Sequence, residues 1–193
     1  MEKQVMAAGF QCLRVTYPSM FGSMADSSEW VLSRISKSLP PGPKYLVTHS
    51  AGGILARHLA DRLEFRRVLM LAPPNQGARL ARVLGDRSLR ALDAFCGPKG
   101  RELASPDWPE PTFDFSIIAG TSPGMVDTPQ ATLGRRIGAF SKHCQIDGTL
   151  HVDDTKHPDM TEFRTAQAGH TFLMDHPEVA RMTVNFLKTG RLS

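Results

Sequence analysis

The stretch Tyr45-Leu46-Val47-Thr48-His49-Ser50-Ala51-Gly52-Gly53-Ile54-Leu55-Ala56-Arg57 decides how this chain is read. The apolar run from Tyr45 to Val47 predicts a short strand. A serine follows shortly, then small residues, and Ile54, Leu55, Leu59 and Leu63 recur at helical spacing to a helix end near Glu64. A strand, a sharp turn and a helix in that order put Ser50 at the tip of the turn. Such a turn strains the serine backbone, so its neighbours must be small enough for strand and helix nearly to touch. Ala51, Gly52 and Gly53 meet that need. The first N–H groups of the helix have no intrahelical acceptor and favour negative charge beside Ser50. The same pattern also suits an ordinary serine N-cap after a parallel strand.

Working outward, strands and helices alternate. Met1 to Gly9 reads as the tail of a helix, and Phe10 to Tyr17 as a strand that stops at Pro18-Ser19. Asp26 or Ser27 caps a helix to about Leu39, through Trp30, Val31 and Ile35. Pro40-Pro41-Gly42-Pro43 is a rigid loop. Arg67 to Leu71 is a continuous apolar-rich strand, as a parallel sheet covered on both faces requires. Ala78 to Leu92 is a helix broken near Gly85-Asp86, and Phe95 to Pro111 reads as irregular. Phe115 to Gly120 is a buried strand, and a long excursion runs from Thr121 to Ile146. Phe163 to Ala168 is the last strand. Pro177 opens a helix behind His176 or Asp175, and Gly190 ends it. The fold class expected is α/β, one domain over residues 1–193, with a mostly parallel sheet and helices on both faces.

At Thr48-His49-Ser50-Ala51-Gly52 the chain resembles the α/β-hydrolase family, in its bacterial lipase and esterase form, whose pattern is G-x-S-x-G. Thr48 replaces the first glycine. The Pro74-Asn75-Gln76-Gly77 loop after the next strand adds to the resemblance, although such residues shape turns anyway. The resemblance implies a serine nucleophile, a histidine base and an acid, in the chain order Ser, Asp, His. Ser50, Asp147 and His170 offer that order. His170 follows the last strand, at the sheet edge where Ser50 emerges. Of the other histidines, His49 packs in the elbow, His58 lies on its helix, His143, His151 and His157 fall in loops, and His176 caps a helix. Asp147 opens an Asp-Gly-Thr turn like that of several bacterial lipases. Asp153 and Asp154 are the next candidates for the acid, and Asp127 is a distant third.

The resemblance also implies an oxyanion hole with the Ala51 N–H as first donor. The second donor in this family comes from an earlier His-Gly loop, and no such motif precedes Tyr17. Losing one donor typically costs about 10²–10³ in rate. The chain therefore reads as a hydrolase domain shortened at its N-terminus, lacking that loop and its strand. It is either a shortened version with rearranged pairing or a truncated product. The implied activity is cleavage of small-molecule or lipid carboxylic esters through an acyl-enzyme. An acyltransferase with the same three residues, or a non-catalytic hydrolase-like protein, is the alternative.

Composition narrows the rest. Net charge is +4, but the basic residues are scattered and no nucleic-acid motif is present, so no nucleic-acid partner is expected. Cys12, Cys96 and Cys144 are odd in number without C-x-x-C spacing, which reads as free thiols in a reducing compartment. No run approaches the ~18 apolar residues of a membrane span, and Met1-Glu2-Lys3-Gln4 does not open a signal peptide. A cytoplasmic location is expected, unless a longer precursor carried a leader. No cofactor is implied. Asp153, Asp154, His157 and Asp159 match no familiar metal spacing and read as a solvated loop.

Overall fold

A computed structural model describes residues 1–17, 22–97, 99–122 and 128–193. Along the chain run α1 (Glu2–Ala7), α2 (Met24–Ser38), β1 (Lys44–His49), α3 (Gly52–Leu59), β2 (Phe65–Leu71), α4 (Arg79–Arg87), α5 (Leu89–Cys96) and α6 (Lys99–Ala104). Then follow β3 (Phe115–Gly120), α7 (Pro129–Arg136), α8 (Val152–Thr155), β4 (Phe163–Ala166) and α9 (Pro177–Thr189), the last two separated by a 3-10 turn at Leu173–Asp175.

The four strands form one parallel sheet in the order β1-β2-β3-β4. One row of the register runs His49, Leu71, Ile118, Arg164. Strands laid down in sequence with right-handed crossovers put their connecting helices on one face. The opposite face has to be covered from the ends of the chain, and it is. Leu69, Leu71 and Ile118 pack against Val179, Met182 and Phe186 of α9, and α1 lies against α9. One residue out of phase, Val68 and Met70 face the other way with Phe115 and Ile117. There α3 approaches so closely that a Cβ on Gly53 would lie 2.8 Å from Pro73 Cβ. Each fully buried side chain of this size contributes ~1.5–3 kcal/mol over exposure. That makes β2 and β3 the rigid centre, because nearly all their core positions are closed to solvent. β1 lies at the sheet edge and leaves Tyr45 exposed. Among the described residues no helix is long and apolar enough to cross a membrane.

Several local expectations are corrected. Phe10 to Tyr17 forms no strand. Its apolar residues are taken up elsewhere: the Phe10 ring meets Tyr45 edge-on at 5.4 Å, and Val15 and Tyr17 pack on the cluster between α2 and α3. Its expected stop, Pro18-Ser19, lies outside the described residues. Ser23, not Asp26 or Ser27, caps α2, and Asp26 instead closes a capping box by accepting from the Ser23 N–H. The elbow helix ends at Leu59, before Glu64. The break in the next helix falls at Ser88 rather than Gly85-Asp86, because the Ser88 hydroxyl can cap a new helix by accepting from Ala91 N–H. The segment Phe95 to Pro111 is not wholly irregular, since α6 lies within it, and the excursion from Thr121 to Ile146 contains α7. Pro177 and Gly190 bound the last helix as expected, Gly190 at φ 83°.

Candidate active site

Ser50 stands between the last residue of β1 and the first of α3. Its φ is 54°, a left-handed conformation that costs a non-glycine residue about 1–3 kcal/mol. Two backbone bonds hold it there. Its N–H donates to Leu71 O at 2.8 Å, and its carbonyl accepts from Gly53 N–H at 3.0 Å. Ala72, at the end of β2, is the other non-glycine residue with positive φ among those described, at 45°. Both strained residues therefore sit at the carboxyl edge of the sheet. The need for a small residue falls chiefly on Gly53. A Cβ on Gly52 would meet Thr48 Cβ at an ordinary 3.4 Å, which is why threonine fits where the pattern has glycine.

His170 comes to the same edge from the loop after β4. Its Nε2 lies 3.0 Å from Ser50 Oγ, and its Nδ1 lies 2.7 Å from Asp147 Oδ2. With Asp147 a carboxylate, Nδ1 carries the proton and donates it, so the Nε2 lone pair faces the serine hydroxyl. Asp147 is 1% exposed. Its second oxygen accepts from the N–H groups of Thr149 at 2.9 Å and Leu150 at 2.8 Å, so the Asp-Gly-Thr turn itself aims the carboxylate. The carbonyl of Asp147 also accepts from His170 N–H at 2.8 Å, a second link between the same two residues. Ser50 is half-buried. The Ala51 N–H makes no hydrogen bond among the described residues.

The structure thus brings Ser50, Asp147 and His170 together, with Ala51 beside them. The other acids go elsewhere. Asp154 is buried and accepts from Arg79 N–H and Arg79 Nε–H, both at 3.1 Å, which caps α4. Asp153 is exposed and pairs with Lys156. Asp127 lies outside the described residues. Among the histidines, His151 caps α8, His143 is exposed, and the His176 side chain makes no cap bond on α9. His157 lies 3.2 Å from Glu110 Oε2 and near Asp159, and these three could gather round a cation. Arg57 stands 3.8 Å from Glu110, however, and its positive charge opposes a cation there.

Two residues near the site have contacts that the sequence does not reveal. Gly120, at the end of β3, leaves room for the acid: a Cβ there would lie 2.4 Å from Ala168 O and 2.8 Å from Asp147 Cβ. A glycine closing an apolar strand is the sign of such a close approach. His49 was expected merely to pack in the elbow. Its ring does pack against His170, with centroids 4.8 Å apart, and its Nε2 also bonds the His170 carbonyl at 2.9 Å. Burial first, and the neighbouring His170 second, push the His49 pKa down to about 4.

No family model matches this sequence. No curated protein matches it either. Solved structures do. The chain superposes on the mature Bacillus licheniformis lipase BlEst2 with a TM-score of 0.57 at 18% identity, over 77% of this chain and 67% of the lipase. It is also similar to the Legionella pneumophila phospholipase PlaB, with a TM-score of 0.49 at 18% identity, over 75% of this chain and only 36% of PlaB. The RedJ thioesterase of the Streptomyces coelicolor prodiginine pathway gives 0.44 at 19% identity, over 89% of this chain and 76% of RedJ. With its parallel sheet, its elbow at the sheet's carboxyl edge and its likeness to the lipase, the chain has the α/β-hydrolase fold.

Proposed function

We propose that this protein is a serine hydrolase that cleaves carboxylic esters. The observation that carries the reading is the unbroken line from Ser50 Oγ through the His170 imidazole to the buried Asp147 carboxylate, with links of 3.0 and 2.7 Å. A serine hydroxyl is a weak nucleophile until a base takes its proton. In this arrangement His170 Nε2 takes it as Ser50 Oγ attacks the ester carbonyl. Asp147 keeps the imidazole in the useful tautomer and stabilises the imidazolium that forms. The Ala51 N–H, which has no partner among the described residues, stands next to the nucleophile and donates to the developing oxyanion. His170 then returns the proton to the departing alcohol oxygen. Water hydrolyses the acyl-enzyme by the same proton path in reverse. The fold shared with a lipase supports an ester with an apolar acyl part as the substrate class.

The test is hydrolysis of p-nitrophenyl esters of increasing acyl length by wild type, Ser50→Ala and His170→Ala. Wild type is expected to turn over with a burst of nitrophenol. Each variant should fall by ~10⁴-fold or more, because members of such a set act as a unit. Full turnover by Ser50→Ala, or none by a folded wild type, would overturn the reading. Transfer of the acyl group to an added thiol or alcohol, outpacing hydrolysis, would instead mark the protein as an acyltransferase.

A further inference from the structure

We propose that His49 is a positioning residue for His170, locking the base in its reactive pose through a hydrogen bond to the His170 carbonyl. The proposal rests on the reading of Ser50, Asp147 and His170 as the reactive set. A carbonyl oxygen only accepts, so the 2.9 Å contact requires His49 Nε2 to carry the proton. Backbone bonds pin His170 from both sides: its N–H donates to Asp147 O at 2.8 Å, and its C=O accepts from His49 Nε2–H at 2.9 Å and, at a longer 3.4 Å, from Leu173 N–H. Its ring lies against the His49 ring at a 45° tilt. His170 belongs to a loop rather than a strand, so these contacts do what a ladder would otherwise do.

His49 is well suited to the task because it is itself fixed. It is the last residue of β1, in register with Leu71, and it directly precedes Ser50. One strand end therefore positions the nucleophile by covalent connection and the base by hydrogen bond, and the Ser50–His170 spacing no longer depends on the loop alone. The charged or titratable groups that act on His49 are His170 and, more weakly, Asp147. Burial keeps His49 neutral, so no second cation stands beside the imidazolium that forms on His170 during attack.

Two substitutions separate hydrogen bonding from packing. His49→Gln keeps an N–H near the Nε2 position and loses the ring. His49→Phe keeps a ring and loses the donor. The expected result with p-nitrophenyl acetate is a kcat within about threefold of wild type for Gln, and a fall of about tenfold or more for Phe with KM little changed, since small misplacements of a base cost this much. Equal rates for Phe and wild type, or Phe exceeding Gln, would overturn the proposal and leave the hydrolase reading standing. A folded wild type that turns over no ester would overturn both. If neither variant folds, long-range ¹H–¹⁵N spectra of wild type decide. A neutral Nε2–H tautomer of His49 at about pH 5.5 is expected from its depressed pKa, and an Nδ1–H tautomer or a cation at that pH would contradict it.

Discussion

Two of the described histidines that face carboxylates, His170 and His157, differ in which partner is buried. At the carboxyl edge of the sheet, Asp147 is 1% exposed and His170 reaches it from a loop, with one ring nitrogen left to face Ser50. Beside β3, His157 is the buried member, and its two carboxylates, Glu110 and Asp159, lie in solvent. There both ring nitrogens are committed. Nε2 faces Glu110 at 3.2 Å, and Nδ1 accepts from Asp159 N–H at 3.2 Å, while the ring packs edge-on to Phe115 at 5.5 Å. Asp159 and Phe113 also line a cavity of about 570 Å³ near the amino ends of the strands, whose lining holds no serine, cysteine or histidine. A histidine–carboxylate contact alone does not reproduce the arrangement proposed here to be reactive. What matters is a buried carboxylate that fixes one nitrogen and leaves the other aimed at a nucleophile on strained backbone.

Substitution at both places tests that contrast most severely. Asp147→Asn should lower kcat by about 10³–10⁴ while the protein stays folded, because the wrong tautomer then faces Ser50. Glu110→Gln, the corresponding change at His157, should leave ester turnover within twofold. Steady-state kinetics on both proteins distinguish them, and equal losses would erase the difference drawn here.

Acid acts on the half-buried His49 beside His170. His49 keeps its proton less well folded than unfolded, with a pKa near 4 against the ordinary 6.5. Between those values the unfolded chain binds more protons, so stability is complete above about pH 6.5 and falls as pH drops toward 4. The loss from this one group is at most about 3 kcal/mol. Urea titrations from pH 7 to 4 should show it, and should show it reduced in His49→Gln. An unchanged slope in that variant would remove His49 from the acid response.

Gly120→Ala should cost about 1–3 kcal/mol, as overpacking does. It should also lower kcat, since the new Cβ can be relieved only by moving Asp147 or the backbone at Ala168. Thermal melting beside kcat shows whether stability and activity fall together. The smallest effect is expected at His157→Phe. It should keep kcat within twofold and cost about 1 kcal/mol for the lost hydrogen bonds, seen as a modest drop in melting temperature.

How much of this the sequence reveals follows from the range of each interaction. The elbow was legible because strand, serine, glycines and helix are contiguous between Tyr45 and Leu59. Asp147 and His170 were legible by order and by a resemblance to lipases, and the turn that aims Asp147 lies within three residues of it. The roles of Gly120 and His49 were not, because each depends on a residue far away in the chain: Ala168 and Asp147 for one, the His170 carbonyl for the other. Phe10 to Tyr17 misled for the converse reason. Its alternation is that of a strand, but a strand exists only where an edge pairs with it, and here its apolar residues meet Tyr45 and the α2–α3 cluster instead. The bend at Ser88 was displaced from Gly85-Asp86 because a serine cap outweighs a glycine that still fits inside a helix.

In the proposed mechanism His170 activates Ser50 across their 3.0 Å contact. Treatment with a fluorophosphonate, followed by intact-mass measurement and peptide mapping, tests it most directly, since such a probe reacts only with an activated serine. A single adduct on Ser50 is expected in wild type, absent from Ser50→Ala and from His170→Ala. A folded wild type that takes no adduct, or an adduct that persists in Ser50→Ala, would contradict it.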